Sequence, residues 1–208
     1  AKPEVPPPPA LPPPPQITEF PPDSVPDGLI TFGWEPRDDL SGDENGVDLA
    51  LLLARNSNCK GGSMGCCIAN AEGRIMACSV NSALWEPIDP KRGASDVHAE
   101  VNAVGFCARN GLAIGGGTAY ITMPPCRKCF VVLATVGIRR VVTRRPISPQ
   151  DEKDFTRTAR RIGMALVMVA DTQVRKDHLE RLVGKRRKPE GSAPPSEAEA
   201  ARRAREAG

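Results

Sequence analysis

Two short stretches bring together residue types that can hold a metal and move protons: His98-Ala99-Glu100 and Pro125-Cys126-Arg127-Lys128-Cys129. One imidazole and two thiolates are three ligands for a tetrahedral Zn²⁺. The fourth position is then free for water, which is the arrangement of a catalytic zinc site and not of a structural one. Cys126 and Cys129 are spaced i, i+3, so on one helical turn they point the same way. A helix N-terminus beside them favours the thiolate form. Glu100 follows His98 by two residues, close enough to reach the water without ligating the metal, and can serve as a proton shuttle. The expected metal ligands are therefore His98, Cys126 and Cys129, and the expected catalytic residue is Glu100.

Other readings of these cysteines have less behind them. A redox pair, or half of a four-cysteine structural zinc, needs partners that the spacing does not supply. Cys66 and Cys67 are adjacent and in a strand would face opposite sides. Cys59, Cys66, Cys67, Cys78 and Cys107 are expected as buried small apolar groups. His178 falls in a charged stretch and is read as a solvated side chain. Seven cysteines without the spacing of a secreted disulfide scaffold point to a reducing compartment.

The elements that must position these residues follow from periodicity and punctuation. Val47 to Arg55 reads as an amphipathic helix with its charges on the outer side. Gly65 to Asn70 and Arg74 to Asn81 read as strands joined in a hairpin by Ala71-Glu72-Gly73. His98 to Asn110 is a helix stopped by Gly111, and Thr118 to Thr122 is a strand. Cys126 to Val136 is a helix closed by Gly137, and Ile138 to Thr143 is a strand that should lie parallel to the preceding one through a right-handed crossover. A helix from Asp151 to Ile162, stopped by Gly163, and a strand from Ala165 to Ala170 complete the pattern. The expected fold is α/β, a three-layer α/β/α arrangement with a five-stranded mixed sheet.

Residues 1–45 are expected to be a Pro-rich disordered arm and an entry segment, with Trp34 anchoring the latter. Residues 46–183 are expected to form the zinc-dependent domain, and 184–208 a charged disordered tail. The 22 prolines concentrate near the two ends, which leaves room for one compact domain within 208 residues. Aromatic residues are only 4% of the chain, so the core must be aliphatic. A formal net charge of +3 is too small to require a nucleic-acid partner. No apolar run approaches the roughly 20 residues of a membrane span, so no membrane partner is expected. The expected location is intracellular, cytoplasmic or nuclear.

Together these residues resemble the cytidine deaminase superfamily, and within it the deoxycytidylate deaminase branch. The resemblance runs from about Val47 to Ala170. It is carried by Leu51 to Arg55 with Ser57 and Cys59, by Ser79-Val80-Asn81, by His98-Ala99-Glu100-Val101-Asn102-Ala103, and by Gly137 to Val142. It implies a cytidine-deaminase-like fold, a Zn²⁺ cofactor, and a small-molecule nucleotide substrate, dCMP converted to dUMP with release of ammonia. It also implies that Asn81 hydrogen-bonds the sugar or base, that the Ala99 amide meets the base carbonyl, and that Thr122 to Pro124 line the pocket. A homo-oligomer is implied as well, and Arg55 is a positional candidate for the phosphate.

The chain departs from the branch at Ser79-Val80-Asn81-Ser82-Ala83, where the usual pattern is Gly-Tyr-Asn-Gly. Control by dCTP or dTTP is therefore not carried over. The stretch from Leu84 to Asp96, with Trp85, Lys91 and Arg92, matches no pattern and leads directly into His98. Two further readings stay open. One is an editing deaminase of tRNA or single-stranded polynucleotide, aided by Arg144, Arg145 and the basic tail at Lys185 to Lys188. The other is a noncatalytic subunit of the same fold, a role that would not need a carboxylate at Glu100.

Overall fold

A computed structural model of the chain describes residues 17, 29–59, 62–84 and 96–183. The Pro-rich stretch apart from Ile17, the Trp85 to Ala94 region and the Lys185 to Lys188 run all lie outside the described residues.

Helix α1 spans Gly42–Leu53. Strands β1 (Gly65–Ala69) and β2 (Ile75–Val80) follow, and then come the two-residue strands β3 (Ser82–Ala83) and β4 (Asp96–Val97). Next in order are α2 (Ala99–Arg109), β5 (Thr118–Ile121), α3 (Arg127–Thr135), β6 (Arg140–Thr143), α4 (Pro149–Ile162), β7 (Ala165–Met168) and α5 (Gln173–Val183). The main sheet has the order β2-β1-β5-β6-β7. The hairpin edge is antiparallel, β1 also runs antiparallel to β5, and β5, β6 and β7 are mutually parallel. This is the five-stranded mixed sheet expected from the pattern.

Alternation along the strands sends side chains to two separate cores. Cys66, Ile68, Ala119, Ile121 and Val141 pack under α2, α3 and α4. Cys67, Ala69, Tyr120 and Val142 pack under α1 and α5, where Trp34 and Ile17 are also buried. Helices thus cover both faces, and the adjacent cysteines do face opposite ways. Cys66, Cys67, Cys78 and Cys107 are all buried as small packing groups.

Two expectations are corrected. Helix α1 begins at Gly42, not Val47, because Ser41 and Glu44 form a capping box: the Ser41 N–H donates to Glu44 Oε2 at 2.9 Å, and the Glu44 N–H donates to Ser41 Oγ at 3.3 Å. Nor is α1 amphipathic with solvated charges. It lies between the sheet and α5, so Asp43 and Asp48 are buried with it, Asp43 paired to Arg140 and Asp48 to Arg175. Its backbone sits so close to β1 that a Cβ on Gly65 would lie 2.0 Å from the Ala50 carbonyl oxygen.

The second correction is α5 itself, which the sequence pattern did not predict. Its Arg175 is buried, donating from Nε to both Asp48 carboxylate oxygens at 3.0 and 3.1 Å and from Nη1 to the Ala170 carbonyl at 2.8 Å. His178 therefore belongs to a packed helix, and burial lowers its pKa. Among the described residues no helix is long and apolar enough to cross a membrane.

Candidate functional site

The site is assembled from two helix starts. His98 is the N-cap of α2 and Cys126 the N-cap of α3, both in extended backbone conformation, and neither side chain caps its own helix. Each is free to point into the space between the two helices. Cys129, one turn into α3, is buried, whereas His98 and Cys126 are exposed. His98 Nδ1 lies 3.7 Å from Cys126 Sγ and 3.4 Å from Cys129 Sγ.

These separations suit a metal. A tetrahedral zinc with its usual bond lengths to nitrogen and sulfur requires N···S edges of about 3.6 Å, and the two observed values bracket it. All three ligand atoms lie within 4.8 Å of one another. Burial raises the Cys129 thiol, with the Glu100 carboxylate adding to that effect. Coordination reverses the direction, because a thiol that ligates a metal is deprotonated outright. The positive ends of two helix dipoles converge on the same point and favour the anionic donors. The donor set fits a zinc ion.

Glu100 stands on the first turn of α2 and is buried. Burial is the main cause of its raised pKa, opposed by its own backbone N–H and by His98. A carboxyl in that state holds and releases a proton more readily near neutrality than an exposed one.

A cavity of about 210 Å³ opens beside these groups, and His98, Glu100, Cys126, Asn81 and Pro124 all line it. Asn81 is buried, and its amide is engaged with the loop below: Oδ1 accepts from the Met64 N–H at 2.8 Å, and Nδ2 donates to the Gly62 carbonyl at 2.8 Å. One lone pair and one N–H remain for a ligand. Thr122 is buried behind the cavity, where its hydroxyl accepts from the Gly65 N–H at 3.1 Å. The Ala99 side chain is buried in the core. Its backbone N–H belongs to the first turn of α2, whose N–H groups have no partner within the helix. Arg55 is exposed, on the short turn Ala54–Asn56 that follows α1.

Gly62, Met64 and Ile121 line the cavity without having been named from the sequence, and Asp96 was reached only as the end of the unmatched stretch before His98. Asp96 carried a usable signal, since in extended chain it shares a face with His98. Met64 carried none, because nothing local places its loop at the cavity. The site is braced from both sides. Asn102 Nδ2 donates to the Val80 carbonyl at 2.9 Å and to Ser82 Oγ at 3.0 Å, tying α2 to the Asn81 strand end. Arg127 Nε donates to Asp151 at 2.6 Å, tying the start of α3 to α4.

A family model described as the cytidine and deoxycytidylate deaminase zinc-binding region matches residues 40–144, which include His98, Cys126 and Cys129. The deoxycytidylate deaminase of Enterobacteria phage T2 is 46% identical over 48 residues, 23% of this chain and 26% of that protein. The chain thus spans about a quarter of that relative's length. The deoxycytidylate deaminase of Mycobacterium phage D29 is 31% identical over 120 residues, 48% of this chain and 91% of that protein. The apo structure of the dCMP deaminase from cyanophage S-TIM5 superposes with a TM-score of 0.50 at 24% identity, covering 61% of this chain and 96% of that one. This last likeness shows the shared fold.

Proposed function

We propose, from the premise that this chain belongs to the cytidine and deoxycytidylate deaminase family, that it is a zinc-dependent hydrolytic deaminase of a cytosine mononucleotide. Its preferred reaction is dCMP plus water to dUMP plus ammonia. The observation that carries this reading is the buried Glu100 carboxyl lining the same cavity as His98 and Cys126, with the ligand triad at the separations a tetrahedral metal needs. The deoxycytidylate deaminases among its relatives support the choice of base and nucleotide.

His98 Nδ1 and the Cys126 and Cys129 sulfurs would hold the zinc. When bound there, it supplies a Lewis acid that makes water a competent nucleophile near neutral pH. Glu100 takes a proton from the attacking water as its oxygen adds to the ring carbon that bears the amine. The carboxyl delivers that proton to the adjacent ring nitrogen, then takes the remaining proton of the added hydroxyl and passes it to the exocyclic nitrogen, so that the C–N bond breaks, ammonia departs and the carbon–oxygen bond becomes the carbonyl of the product. Burial suits Glu100 to this task, because a carboxyl with a raised pKa can donate as well as accept. The free Ala99 N–H at the start of α2 is a donor for the base carbonyl. Asn81, with its remaining N–H and lone pair, and Pro124 form the wall against which the nucleotide lies, while Thr122 holds the strand end beneath it.

The test is ammonia release with product identification, using zinc-replete protein and its Glu100→Ala variant on dCMP, CMP, deoxycytidine, dCTP and a tRNA pool. Turnover of dCMP above the others, abolished in the variant, is the expected result. Turnover confined to tRNA would replace this reading with polynucleotide editing.

A further inference from the structure

The cavity contains a second acidic side chain that the deamination steps leave unused. Asp96 lies in β4, where it pairs with Ala83 while Val97 pairs with Ser82. The chain continues extended through His98, with φ −68° and ψ 150°. Alternation along extended backbone therefore turns Asp96 and His98 to the same side and Val97 to the other, and Asp96 and His98 both line the cavity.

The surroundings of Asp96 suggest its partner. Asn81, an uncharged polar side chain in the wall, is largely engaged by the backbone of Gly62 and Met64. Glu100 is occupied with proton transfer. The Cys59 thiol lies near Asp96: burial raises that thiol, and the neighbouring carboxylate adds to the effect. The described residues that line the cavity include no lysine or arginine. An acceptor of this kind repels a phosphate and attracts a hydrogen-bond donor. Away from the reacting amine, a cytosine nucleotide offers such donors on its sugar, and the 3′-hydroxyl is the one retained in both ribose and 2′-deoxyribose.

Resting on the substrate class argued above, we propose that Asp96 accepts a hydrogen bond from the 3′-hydroxyl of the bound nucleotide and so turns the 5′-phosphate away from β4. Asp96 is then a specificity-determining residue.

The experiment compares kcat/KM for dCMP and 2′,3′-dideoxycytidine monophosphate in the zinc-loaded full chain and in its Asp96→Ala and Asp96→Asn variants. A hydrogen bond to a charged acceptor predicts a preference of about 10- to 100-fold for dCMP in the unaltered protein. In Asp96→Ala that preference collapses toward unity. In Asp96→Asn, whose carbonyl still accepts, part of it survives. A preference that persists in Asp96→Ala overturns the assignment, as does an equal loss on both nucleotides. If the unaltered protein turns over no cytosine nucleotide, the substrate reading has failed on its own terms. Equilibrium binding of deoxycytidine against 2′,3′-dideoxycytidine then decides the matter: an affinity gap closed by Asp96→Ala supports the role of Asp96, and equal affinities overturn it.

Discussion

Arg175→Met should be among the most destabilising single changes outside the site. The Arg175 and Asp48 side chains are 2% and 3% exposed, and their ion pair joins α5 to α1 across the second core. Replacing the guanidinium leaves the Asp48 carboxyl buried without its cation and the Ala170 carbonyl without its donor. Breaking a buried pair from one side costs about 3–5 kcal/mol, and for a chain of this size that lowers Tm by about 6–20 °C.

The paired change Asp48→Leu with Arg175→Met removes both charges, and it should recover most or all of the loss. Burial already raises the Asp48 carboxyl against the pull of Arg175. Without Arg175 its folded value moves further above its unfolded value. A carboxyl in that position loses stability as pH rises, so the deficit should shrink from about pH 7 toward about pH 5. Thermal and urea unfolding followed by circular dichroism, at one fixed zinc concentration, gives all three numbers. A single Arg175→Met cost below about 1 kcal/mol, or a double variant no better than the single one, would falsify the reasoning.

Glu100→Gln keeps shape and removes proton transfer, so kcat should fall by about 10²–10⁴ while metal analysis still finds the zinc content of the unaltered protein. Gly65→Ala places a methyl group 2.0 Å from the Ala50 carbonyl oxygen, and forcing β1 away from α1 should cost about 1–3 kcal/mol, read from the urea midpoint. The Glu44 carboxyl is held below its ordinary value of 4.5, chiefly by the Ser41 backbone N–H. Its contribution is present above that value and is lost as pH falls through the folded one, so Glu44→Gln should flatten the acid limb of the stability curve.

The cluster of His98, Cys126 and Cys129 was legible because its spacing is local. Whether Cys126 and Cys129 share a helical turn, and whether Glu100 follows His98 at a helix start, depends only on spacing and helix geometry. The hairpin at Ala71-Glu72-Gly73, the glycine stops and the parallel strand pair were legible for the same reason. Gly163, for example, takes a left-handed conformation at φ 67° that few other residues adopt.

What could not be read was decided by contacts far apart in the chain. Helix α5 hides its strongest anchor behind a charged residue, because Arg175 is buried only when Asp48, 127 positions away, meets it. The charges of α1 looked solvated until a second layer covered them. Asn81 has a side chain suited to ligands, yet tertiary structure turned most of it toward Gly62 and Met64, and the pairing of β3 with β4 brought Asp96 into the cavity. Sequence alone specified which atoms could bind zinc and which carboxyl could carry protons, since those are properties of residue type and helical spacing. Only the folded sheet, by setting the starts of α2 and α3 against each other, brought His98 to within 3.4 Å of a sulfur 31 residues away.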